Sequence, residues 1–209
     1  MIRKDITKNK RPTPSRKGTC KSNGKGICGS INKADDYCLF HKPNKDKKEA
    51  SIFYQKILER ASRKRKPLHF EEALNFDGYI FPPVPEEYSN GQSTFFVSSR
   101  FSKPVYFDEV TFEGNINFKG AEFKKGVSFR RATFLKEAGF HNTSFYPVDV
   151  EDTEVNIKTD SNELIVDTGL VSFIGTTFRA PANFVTAHFY TSVAFDSVQF
   201  DDTATFRRV

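Results

Sequence analysis

Residues 107–145 read FDEVTFEGNINFKGAEFKKGVSFRRATFLKEAGFHNTSF, with phenylalanine at every fifth or sixth position. Phe107, Phe112, Phe118, Phe123, Phe129, Phe134, Phe140 and Phe145 are separated by 5, 6, 5, 6, 5, 6 and 5 residues. Phe96 and Phe101 extend the alternation upstream. It resumes downstream at Phe173, Phe178, Phe184, Phe189, Phe195, Phe200 and Phe206. Seventeen of the 23 phenylalanines share this register, in a chain with no tryptophan and one methionine. One aromatic type has been chosen for one structural job.

The residue two before each phenylalanine obeys a second rule. From Val105 to Ala204 all fifteen are small or β-branched (Val, Ile, Ala or Thr), and between the pairs lie Gly, Lys, Arg, Asp, Glu, Ser and Asn. An amphipathic helix repeats its apolar residues at three and four, and a half-buried strand at two. A period of five to six fits a chain of short flat sides with a corner after each. Positions i−2 and i then point inward and the corner residues face water. Stacked coils place ring over ring about 4.8 Å apart, and the small residue at i−2 leaves room for the large one at i. Each coil bonds only to its neighbours.

The runs FDEVTF, FKGAEF, FRRATF, FIGTTF, FVTAHF and FDSVQF resemble the pentapeptide-repeat family over residues 96–145 and 171–206. The resemblance implies an all-β fold, a right-handed quadrilateral β-helix. The extra residue in every second step (FEGNINF, FKKGVSF, FRAPANF) is similar to the Phe-centred variety. Four steps make a coil of 22 residues, stacking Phe107 on Phe129 and Phe112 on Phe134. The solenoid is expected over 96–209, with 67–95 as an irregular N-terminal cap in which Phe70, Phe76 and Phe81 begin a first coil. Between Phe145 and Phe173 the register would bury Glu151, Asn156, Asn162 and Asp167, at a cost. A hairpin insertion at 146–170 is therefore expected in place of a distorted, partly polar coil.

The N-terminal part differs in kind. Residues 1–18 are basic, polar and without apolar periodicity, a composition expected to be disordered. Within 19–48 lie Cys20, Cys28, Cys38 and His41, spaced C-x7-C-x9-C-x2-H. Zn²⁺ favours four such ligands in a tetrahedron, and the C-x2-H half lets one turn aim two side chains at one point. A segment this polar needs a staple to order itself, so a structural zinc is expected. The plainer alternative is three reduced thiols and a surface histidine. Residues 49–66 read as a helix whose end carries Arg63, Lys64, Arg65 and Lys66, either a solvated terminus or a patch for an anionic partner.

Charge divides the chain the same way. Residues 1–70 hold 20 Lys+Arg against 6 Asp+Glu, whereas residues 71–209 hold 12 against 20. No apolar run reaches the length of a membrane span and no signal-peptide core opens the chain, so the expected compartment is the cytoplasm. His69, His141 and His188 have no nucleophile or paired carboxylate at a recognisable spacing, and no enzyme is expected. Three binding roles are considered: a scaffold for a protein partner, nonspecific nucleic-acid binding through residues 1–70, and, as the family resemblance implies, DNA mimicry toward a topoisomerase. The last asks for negative walls, and the repeats carry 11 basic against 8 acidic residues. Corner residues such as Lys124 and Arg130 are expected to be solvated. The sequence stops one step into a coil, so either end-to-end pairing of two chains or further coils of a longer protein are expected over Phe195, Phe200 and Phe206.

Overall fold

The computed structural model describes residues 37–89, 95–147 and 171–209. Nineteen two-residue strands stack into four parallel sheets, one on each side of a solenoid. The first sheet holds β1 (His69–Phe70), β4 (Arg100–Phe101), β8 (Glu122–Phe123), β12 (Ser144–Phe145) and β16 (His188–Phe189). The second holds β2 (Leu74–Asn75), β5 (Val105–Tyr106), β9 (Val127–Ser128), β13 (Val171–Ser172) and β17 (Val193–Ala194). The third holds β3 (Ile80–Phe81), β6 (Thr111–Phe112), β10 (Thr133–Phe134), β14 (Thr177–Phe178) and β18 (Gln199–Phe200). The fourth holds β7 (Ile116–Asn117), β11 (Ala138–Gly139), β15 (Ala182–Asn183) and β19 (Ala204–Thr205). The sheets thus begin at His69, ahead of the ladder read from Phe96.

The coil is 22 residues long, as the spacing requires. Phe107 stacks on Phe129 at 5.0 Å with the rings 4° apart, and Phe112 on Phe134 at 4.7 Å and 14°. Beyond Phe145 the partners lie 44 residues apart: Phe129 on Phe173 at 5.1 Å, Phe140 on Phe184 at 4.8 Å. Strand pairing agrees, with β10 bonded directly to β14 and β11 to β15. No coil intervenes between Phe129 and Phe173. Residues 148–170, where the hairpin is expected, lie outside the described residues.

The alternation of five and six has a backbone cause. In every five-residue step the second residue after phenylalanine has φ between 54° and 71°: Gly78, Ser98, Glu109, Gly120, Arg131, Asn142, Gly175, Thr186 and Ser197; Arg208 stands at the same place after Phe206. The amide three after the phenylalanine closes the corner onto its carbonyl, as Ala132 does to Phe129 at 3.0 Å. This is a type II turn, which normally wants glycine at its third position. Seven of the ten are not glycine. Eight of these amides, all but those of Ser197 and Arg208 at the end of the stack, donate along the axis to the next coil, Glu109 to Arg130 O at 2.8 Å and Thr186 to Arg207 O at 2.7 Å. That bond offsets a left-handed cost of about 1–2 kcal/mol per residue.

A helix, α1 (Lys47–Leu58), covers the start of the stack. Asp46 accepts from Glu49 N while the Glu49 side chain reaches back to Asp46 N, a capping box. Phe53, Tyr54 and Ile57, three and four apart, form its buried face. Phe53 sits edge-on to Phe81 at 5.0 Å, and the Tyr54 hydroxyl donates to Pro82 O at 2.8 Å. Full burial raises the Tyr54 phenol pKa. The helix ends eight residues before the expected boundary at 66. The chain turns after Leu58 so that Arg63 can pair antiparallel with His69, and Pro67 disfavours helical backbone at Lys66. Arg63, Lys64, Arg65 and Lys66 are therefore a loop beside β1, not the last turn of a helix.

The cysteine–histidine turn and the candidate docking faces

Cys38 and His41 lie on one turn, in which the amides of His41 and Lys42 both donate to Cys38 O at 3.1 Å. The turn brings Cys38 Sγ and His41 Nδ1 to 2.9 Å, and both side chains are buried. Burial lowers the His41 pKa, opposed by the backbone carbonyl of Asp77 and aided by the charge on Lys45. Burial thus favours the neutral imidazole, the form that ligates metal. Zinc–sulfur and zinc–nitrogen bonds of about 2.3 and 2.0 Å at a tetrahedral angle put the two ligand atoms about 3.5 Å apart. A small side-chain rotation would open the observed contact to that value, so this half of the ligand set fits. Cys20 and Cys28 lie outside the described residues, and no group of three ligand-type side chains occurs among the described ones. Beside the turn, Lys45 donates to Lys42 O and Ile80 O at 2.5 and 2.6 Å. Burial lowers its pKa to about 8.

The inward positions are closed. Phe107, Phe112, Phe118, Phe123, Phe129, Phe134, Phe140, Phe145, Phe173, Phe178 and Phe184 are all buried. Phe189, Phe195 and Phe200 are partly covered, and Phe206 is 41 % exposed at the last coil. Two inward threonines are satisfied across coils, Thr143 to Phe118 O at 2.8 Å and Thr176 to Phe129 O at 2.6 Å. That explains why Thr can stand where Val and Ala otherwise do.

The outward positions form columns, because residues 22 or 44 apart stand one above another. On the first sheet's side, Lys124, Tyr146 and Tyr190 make such a column. Lys124 Nζ lies 3.7 Å from the centre of the Tyr146 ring, which stacks on Tyr190 at 4.7 Å and 14°. Tyr190 is 57 % exposed. Lys124 also pairs with Glu122 at 3.3 Å. It is therefore held on the surface, not loosely solvated as its corner position suggested. The 22-residue register could have flagged this column from the sequence. His141 and His188 are outward residues, and His188 shares its column with Ser144, Glu122, Arg100 and His69.

No helix among the described residues is long and apolar enough to cross a membrane. No curated protein and no solved structure matches the chain. Residues 96–144, within the longest uninterrupted run of the ladder, match the family model described as Pentapeptide repeats (9 copies).

Proposed function

We propose that the chain is a non-catalytic binding protein of the cytoplasm whose β-helix presents its flat sides to a protein partner. The observation that carries this reading is the filled interior: phenylalanine rings occupy the axis, so the chemistry on offer lies in outward columns. Flat parallel sheets with fixed column spacing suit the rigid presentation that repeat proteins use for partners. Unnatural photo-crosslinking side chains at Ser128, Thr133 and Ser144, one on each of three sides, test it. Partner adducts from at least one of these sites are expected. Adducts obtained only from positions within 1–48 would overturn the proposal.

In the same proposal the N-terminal module is stapled by one structural Zn²⁺ through Cys20, Cys28, Cys38 and His41. Support comes from the Cys38–His41 turn, with its converging ligand atoms and an imidazole whose neutral form burial favours. The DNA-mimic reading is the weakest, because the repeats as a whole carry 11 basic against 8 acidic residues.

A further inference from the structure

The net charge of the repeats conceals a polarity across the solenoid axis. The described repeat residues divide into the sides of the first and fourth sheets (95–104, 116–126, 138–147, 182–192, 204–209) and those of the second and third. The first group holds seven lysines and arginines and one acid, Glu122; the second holds four against seven acids. Glu122 itself is flanked by Arg100 at 3.8 Å and Lys124 at 3.3 Å. His69, His141 and His188 all fall on the basic sides. The loop Arg63–Lys66 is exposed and is held against β1 by the Arg63–His69 pairing, so its four cations continue the strip and outnumber the two exposed acids that follow β1, Glu71 and Glu72.

We propose that this strip, from Arg63–Lys66 along β1, β4, β8, β12 and β16 and onto the fourth sheet, is a docking surface for nucleic acid, gripped through its phosphates. The proposal goes beyond the protein-scaffold reading and leaves the acidic sides free for it. Five strands at about 4.8 Å spacing span about 19 Å. At about 3.4 Å per phosphate along one strand, that length faces five or six phosphates, with lysines and arginines at the β1, β4 and β8 levels and at Arg207–Arg208, and His141 and His188 between them. Beside the held Lys124, the lysines Lys103, Lys119 and Lys125 are point charges on flexible stems that can follow a backbone. Protein interfaces instead deplete lysine and favour arginine. Tyr190, exposed at the end of its column with Lys124 on the far side of Tyr146, adds an aromatic surface of the kind on which bases stack.

Two full-length variants with the same change in net charge isolate the strip. One carries Lys103→Gln, Lys119→Gln, Lys125→Gln and Arg207→Gln on the basic sides. The other carries Arg130→Gln, Arg131→Gln, Lys136→Gln and Arg179→Gln on the opposite sides. Both keep the basic N-terminal segment, and circular dichroism confirms that both fold. Binding is read by fluorescence anisotropy of a labelled 20-nucleotide single strand and a 20-base-pair duplex across a salt series. The first variant should bind roughly 100-fold more weakly at physiological salt, with a salt slope shallower by about 3. The second should stay within about threefold of the parent. Equal losses in both variants, or no loss in the first, would overturn the strip. So would tighter binding, per charge, of polyglutamate than of either oligonucleotide, which would give the strip to an acidic protein. Photo-crosslinking at Ser128 and Thr133 on the other sides is done in the parent and in the first variant, whose substitutions lie away from them, so the scaffold reading stands or falls separately.

Discussion

Phe129→Ala removes a ring from the middle of the stack. Phe129 is fully buried, stacked on Phe107 at 5.0 Å and on Phe173 at 5.1 Å. It is also edge-on to Phe118 at 5.8 Å and Phe140 at 5.7 Å. The neighbours are themselves pinned by strand pairing, so the void cannot collapse. A Phe→Ala change at such a site costs about 3–5 kcal/mol. Phe129→Leu keeps most of the volume and loses the ring contacts, so a loss smaller than that of Phe129→Ala is expected. The adjacent Arg130→Ala should cost less than about 0.5 kcal/mol. Urea denaturation followed by circular dichroism ranks the three. Equal losses for Phe129→Ala and Arg130→Ala would refute the buried-ladder reasoning.

Other substitutions probe separate links. Gly114→Ala would place its Cβ 2.5 Å from Pro83 Cα, and since backbone cannot yield cheaply, a lowered melting temperature is expected. Asp46→Ala removes the capping box of α1 and should cost about 1 kcal/mol, read by the same denaturation. Thr143→Val deletes a buried bond to Phe118 O, and a loss of about 0.5–1.5 kcal/mol is expected. Native mass spectrometry of chelator-free protein should show one zinc per chain, lost in Cys38→Ser. Apo protein with unchanged protease resistance over residues 37–48 would contradict the staple.

The sequence carried the solenoid because its signal is side-chain volume at fixed intervals, and volume at i−2 and i is what packing selects. It carried the 22-residue coil for the same reason. The left-handed corners were hidden because Glu109, Arg131 and Thr186 stand where glycine would announce a turn, their backbone held by axial bonds to the next coil. The end of α1 was misread from charge: Arg63 to Lys66 look like a basic last turn, but pairing between Arg63 and His69 and the approach of Pro67 decide otherwise. The two-sided charge distribution was invisible in a linear count. Lys119 and Lys136 are close in sequence and stand on different sides of the solenoid; Lys124 and Tyr190 are distant and share one column.

Ring-to-ring contacts in solution test the ladder most directly. With deuterated protein carrying protonated phenylalanine rings, assigned by single substitutions, nuclear Overhauser effects should connect Phe129 to both Phe107 and Phe173. Contacts from Phe129 to Phe107 alone, with a residue from 148–170 in place of Phe173, would contradict the 44-residue step. Absence of both contacts would contradict the ladder itself.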